Sequence, residues 1–98
     1  MINLDEKHLN IVKNILGKHL PDSEIWVFGS RVTNRCKKYS DLDLLIRRAQ
    51  MVDQKMVFRL MDAFEESELP IKVDVIAWSE IDSDFQKIVS QRYEVLEY

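Results

Sequence analysis

Three aspartates and one Gly-Ser pair carry the chemistry legible in this chain. Asp41 and Asp43 stand two apart in the segment S-D-L-D-L-L-I, at the start of an apolar run, and Asp74 sits inside a later one, K-V-D-V-I. On a β-strand, residues two apart point to the same face, with Cα atoms roughly 6.6 Å apart. Two carboxylates so placed can share divalent cations. Like charges about 4 Å apart repel by roughly 1 kcal/mol in water and up to about 4 kcal/mol at an effective dielectric of 20. A purely structural site therefore rarely keeps three carboxylates together. Magnesium reverses the balance, because it prefers oxygen ligands and is held by one or two carboxylates together with the phosphates of a substrate. Two such ions roughly 3.5–4 Å apart can activate an attacking hydroxyl and stabilise the leaving oxygen of an in-line displacement. In that reading Asp41 and Asp43 bridge both ions, and Asp74 holds the catalytic one and helps deprotonate the nucleophile.

Gly29 and Ser30 end the apolar run I-W-V-F. A glycine after a buried strand permits a tight turn or close approach of a ligand to the backbone, and a serine beside it can cap a helix. A short helix starting near Ser30 offers free N–H groups to phosphate oxygens; the competing reading is a plain capped turn. Ten residues separate Ser30 from Asp41, and they include Arg31, Arg35, Lys37 and Lys38, a positive island in an otherwise acidic chain. Such a run is usually a solvated face, but beside a phosphate site it also suits an anion. Cys36 has basic neighbours without a nearby histidine or second cysteine, and reads as structural. His8 and His19 fall about 16 Å apart along one helix and cannot ligate a common ion.

The elements that must position these groups follow from periodicity. A helix capped by Asp5 runs to about residue 19, with Leu9, Val12, Ile15 and Leu16 at helical spacing and a Leu4–Leu9 hydrophobic staple. A strand is expected over 24–28, its continuous apolar run suited to burial on both faces. The next, over 41–46, alternates: Leu42, Leu44 and Ile46 on one face, Asp41, Asp43 and Leu45 on the other. A helix capped by Asp53 presents Met56, Val57, Leu60, Met61 and Phe64, and ends at Leu69-Pro70. The strand over 71–77 again alternates, with Lys72, Asp74 and Ile76 opposite Ile71, Val73, Val75 and Ala77. If the apolar faces of both strands rest on one helical layer, Asp74 joins Asp41 and Asp43 on the open side, provided the strands are neighbours in suitable register. A last helix, capped by Ser79 or Asp82 and reaching about residue 91, turns Phe85, Ile88 and Val89 inward, and a short strand over 93–98 closes the chain.

Bulk properties set the frame. Ninety-eight residues suit one small domain over 1–98, an α/β (α+β) unit with a small mixed sheet and helices packed mainly on one face. A net charge of −3 argues against stable nucleic-acid binding, which needs many lysines and arginines set against phosphates. One cysteine excludes an internal disulfide, and no leader-like start or 18-residue apolar run is seen, so the expected address is the cytoplasm, away from any membrane.

Taken together, G-S-R, the ten-residue interval, D-x-D followed by apolar residues and a third Asp in a later strand resemble the nucleotidyltransferase fold of the DNA polymerase β superfamily. The small size and the pattern G-S-R…S-D-L-D-L-L-I are most similar to the minimal nucleotidyltransferases (MNT), encoded beside HEPN-domain partners in prokaryotic toxin–antitoxin pairs. The resemblance implies a nucleotide-phosphate contact at Gly29, Ser30 and Arg31, and two Mg²⁺ ions held by Asp41, Asp43 and Asp74. It also implies ATP as donor of AMP, and a tyrosine of the HEPN partner as acceptor within a hetero-oligomer. Members of the family often continue R-A-R-G where this chain has Arg31-Val32-Thr33-Asn34; Asn34 can supply the left-handed turn and Arg35 the second charge. The larger members' extra domains for holding an acceptor are absent from this stretch of sequence, which fits a protein acceptor. Two alternatives stay open: a non-catalytic module that neutralises a HEPN partner by binding alone, and a small-molecule nucleotidyltransferase subunit of a larger complex.

Overall fold

The apolar runs of the sequence pair into one mixed sheet. The computed structural model describes residues 2–33, 35–48 and 52–98. In chain order these form α1 (Glu6–His19), β1 (Glu24–Phe28), β2 (Leu42–Arg47), α2 (Gln54–Glu65), β3 (Val73–Ala77), α3 (Ser83–Gln91) and β4 (Glu94–Leu96), with 3-10 turns at Gly29–Arg31 and Trp78–Glu80. The strand order is β3-β2-β1-β4. β1 runs antiparallel to β2 and β4, whereas β2 and β3 are parallel, and α2 provides the crossover that a parallel pair requires. No helix among the described residues is long and apolar enough to cross a membrane.

The alternation read from the sequence sorts the sheet into two unequal faces. On one, Ile25, Val27, Leu42, Leu44, Ile46, Val73, Val75 and Ala77 meet Val12 and Leu16 of α1 and Val57, Leu60 and Phe64 of α2 in the main core. This is the expected helical layer, and Leu4 and Leu9 both pack against it. The opposite face is less open than its acids suggested. Leu45 is fully buried there with Trp26 and Val89, because α3 lies across that half of the sheet. Val89 turns inward as expected and Phe85 packs its ring edge-to-face on Phe28, but Ile88 is 60% exposed. A nine-residue helix on a half-covered face presents too narrow a stripe to bury all three.

Element ends differ for local reasons. Asp5 precedes α1 without a side-chain cap bond and turns toward His8 instead, whereas Asp53 and Asp82 accept from the backbone N–H groups of Lys55 and Phe85. α2 stops at Glu65, short of Leu69-Pro70, because Ser67 bonds the Phe64 carbonyl and so offers the backbone an alternative to another helical turn. β3 starts at Val73, two residues later than its pattern, and β2 at Leu42, one later. Their ladder begins where these two residues pair.

Candidate active site

Register brings the acids together. In the parallel pair of β2 and β3, Asp43 lies directly opposite Asp74, with strand axes about 4.8 Å apart. In the antiparallel pair, Phe28 is the partner of Asp43. One row of the less covered face therefore reads Phe28, Asp43, Asp74, and the next reads Trp26, Leu45, Ile76. Asp41 falls just outside the β2 ladder, on the exposed segment leading into it, where its charge is still felt by Asp43.

The Asp43 carboxyl is pushed up from the ordinary 3.8 to about 6, first by burial, then by the charges of Asp74 and Asp41, with Lys72 pulling the other way. Phe28 beside it and Phe85 against Phe28 supply an apolar wall. Deprotonated Asp43 is thus a charge awaiting compensation. Because the folded state holds this proton more tightly than the unfolded chain does, the carboxylate burdens the metal-free fold at neutral pH. That burden lifts as pH falls through about 6 toward 3.8. Thermal denaturation of the wild type beside an Asp43→Asn variant is expected to show their stability gap closing between pH 7 and pH 4. A gap independent of pH would remove the account of a carboxyl raised by burial and by its acidic neighbours.

Gly29 is held against this acid. Its φ is +76°, and a Cβ built there would collide with Asp43 Oδ2 and lie 3.3 Å from Cγ. Both the left-handed backbone and the close approach require glycine. Gly29→Ala is expected to lower stability by about 1–2 kcal/mol and to displace the Asp43 carboxyl. Chemical denaturation together with divalent-cation titration checks both effects, and an alanine variant with wild-type behaviour would sink this account of the turn. Ser30 follows within the 3-10 turn, half-buried, at the same end of β1.

Arg31, expected beside a phosphate, is placed otherwise. It is 6% exposed, and its guanidinium donates to main-chain carbonyls: Nε and Nη2 to Ser40 (3.2 and 2.8 Å), Nη2 to Lys38 (3.1 Å) and Nη1 to Asn3 (3.1 Å). A planar fork of donors suits such multiple acceptance. Arg31 therefore ties the N-terminal segment and the turn after Gly29 to the loop that delivers Asp41. Ser40 reinforces that loop, its Oγ accepting from Lys37 N at 2.7 Å. Lys37, Lys38 and Tyr39 line a separate cleft of about 280 Å³ with Asn3, Asp5 and His8, so part of the positive island faces the N-terminal segment. Cys36 accepts from Asn3 Nδ2 at 2.8 Å, in keeping with a structural thiol. The left-handed turn expected at Asn34 lies outside the described residues.

Two contributors escaped sequence reading. Arg92, just past α3, donates from Nε to the Val32 carbonyl at 3.1 Å and ties down the segment after Ser30 from sixty residues away. Phe28 looked like one apolar strand residue among several; only register sets it beside Asp43. Lys72, noticed as a face-mate of Asp74, forms an ion pair with it, Nζ to Oδ1 at 3.3 Å.

The donor set is all oxygen, as a hard divalent cation prefers. No three His, Cys, Asp or Glu side chains among the described residues are already gathered as a ready cation cage. The arrangement fits a cation held partly by these acids and completed by water or by phosphates of a bound substrate.

Comparison with known proteins places the chain in a family and matches its fold. Residues 7–96 match the nucleotidyltransferase domain family. A protein from Haemophilus influenzae named as a probable protein adenylyltransferase, MntA, is 42% identical over 96 residues, covering 98% of this chain and 84% of that protein. Among solved structures, a toxin–antitoxin with AMP-PNP superposes with a TM-score of 0.75 at 21% identity, over 91% of this chain and 72% of the other. A Shewanella oneidensis complex of tri-AMPylated HEPN toxin with MNT antitoxin superposes with a TM-score of 0.70 at 20% identity, over 96% and 72%. At these identities the structural matches speak for the fold.

Proposed function

We propose, since this chain belongs to the nucleotidyltransferase family, that it transfers AMP from ATP to a tyrosine hydroxyl of a HEPN-domain protein and serves as the antitoxin of that pair. The observation that carries this reading is the row in which Asp43 faces Asp74 across parallel strands while Gly29 abuts Asp43. The adenylyltransferase name of the 42% identical relative supports the choice of group transferred.

The chain's own residues divide the work. Gly29 and Ser30 let the triphosphate approach the backbone at the end of β1, and Arg31 holds the loop that presents Asp41. Asp41, Asp43 and Asp74 would hold two Mg²⁺ ions, which would supply polarisation of the acceptor hydroxyl and neutralisation of phosphate charge. The acceptor oxygen bonds to the α-phosphorus, the bond from that phosphorus to the bridging oxygen of the β-phosphate breaks, and pyrophosphate leaves. Asp74 assists removal of the hydroxyl proton. The less covered face at the acid row leaves room for a protein acceptor to approach.

Incubation with ATP labelled at the α-phosphate, Mg²⁺ and the HEPN protein encoded alongside tests the reading. Label on a tyrosine of that protein is the expected result. Tight association without label would replace the enzyme with a binding antitoxin, and label on a small molecule alone would replace the acceptor.

A further inference from the structure

We propose that Lys72 is a resident counter-ion of the acidic site, which a divalent cation must displace in order to bind, so that this one side chain sets the affinity of the site. The proposal deepens the reading of Asp41, Asp43 and Asp74 as a cation site and rests on it.

Three observations carry it. The first is position: Lys72 is two residues before Asp74, on the same face, with Nζ 3.3 Å from Asp74 Oδ1. Its main-chain carbonyl accepts from Leu42 N at 2.9 Å, which fixes its backbone beside the segment carrying both Asp41 and Asp43. The second is reach: Asp74, with which Lys72 pairs, lies directly opposite Asp43 across the parallel ladder, so the ammonium stands beside the acid row that a cation would enter. The third is freedom. The Lys72 side chain is 68% exposed, so its flexible stem can swing the ammonium away from Asp74 into solvent when a cation arrives.

An exposed ion pair of this kind contributes little to folding, so its removal is expected to leave the metal-free melting temperature within about 2 °C of wild type. Its effect on an incoming cation is larger, since a unit positive charge a few ångströms away is being removed. Lys72→Met is expected to tighten Mn²⁺ binding to the nucleotide-free protein about fivefold. Lys72→Arg, which keeps the charge, is expected to stay near wild type.

Mn²⁺ titration followed by electron paramagnetic resonance, with Asp43→Asn as the site control, measures this without any turnover. Tighter binding in the methionine variant alone supports the proposal. Wild-type binding that Asp43→Asn abolishes but Lys72→Met leaves unchanged or weakens overturns the counter-ion role and spares the cation site. Absence of Mn²⁺ binding in every variant, both without nucleotide and with a non-hydrolysable ATP analogue, overturns both. A loss of metal-free ATP affinity in Lys72→Met with Mn²⁺ affinity unchanged would make Lys72 a phosphate ligand and likewise overturn the proposal.

Discussion

Asp43→Asn is expected to abolish nucleotidyl transfer while leaving the metal-free protein more stable than wild type. The two effects share one origin. Asp43 sits between Asp74 on the neighbouring strand and Asp41 on the approach to its own, in a partly buried position that pushes its carboxyl up to about 6. At pH 7.5 the native site thus carries a charge its surroundings disfavour. The amide has nearly the same shape, lacks the charge and can donate to Asp74. Discounted for the part of the carboxyl that solvent still screens, the gain is about 1 kcal/mol at pH 7.5. The same substitution removes the anionic ligand opposite Asp74, and transfer should fall by at least about a thousandfold, as expected for loss of a group that organises charge in the transition state. Denaturant unfolding without metal, read beside a transfer assay, measures both. A variant that loses stability would make Asp43 a structural residue and would undo the site reading; one that retains substantial transfer would take Asp43 out of the chemistry.

The second large effect is expected at Arg31, in folding more than in ligand affinity. Its buried guanidinium donates to the carbonyls of Asn3, Lys38 and Ser40. Arg31→Met leaves those acceptors without their donor in a part-buried setting, at a cost of about 3 kcal/mol. Arg31→Lys is expected to recover little, because a single ammonium cannot spread over three carbonyls as a planar fork does. Urea denaturation of the two variants gives the numbers. Transfer should fall as well, since the loop ahead of Asp41 loses its anchor. The opposite pattern, unchanged stability with a selective loss of ATP affinity, would return Arg31 to the phosphate and contradict the placement described above.

These two residues also mark how far the sequence could be read. Asp43 and Asp74 announce themselves because an acid inside a short β-branched run is unfavourable unless something repays it, and alternation fixes which face each takes within its own strand. Arg31 is equally prominent in the sequence, and in the fold its guanidinium turns onto the carbonyls of Asn3, Lys38 and Ser40. An arginine after Gly-Ser looks the same whether its side chain meets a ligand or folds back onto the loop, and only the placement of residues 35–40 and of the N-terminal segment separates the cases. Ile88 and Leu45 show the same limit. Periodicity marked Ile88 as inward and left Leu45 with the acids, whereas the placement of α3 exposes the first and buries the second.

The sequence by itself determined the elements, the core-facing stripes of α1 and α2, the Gly29 turn and the identity of the acids. These are local properties, written in periods of two and 3.6 and in the stereochemistry of one glycine. The tertiary structure decided that β2 and β3 are adjacent and parallel, with Asp43 opposite Asp74, that Phe28 walls the site, that Arg31 and Arg92 fasten the loop, and that Lys72 reaches Asp74. Each of those depends on register between segments far apart in the chain. A shift of one residue would move every side chain of a strand to the other face, and only the packing of the whole sheet fixes which register is adopted.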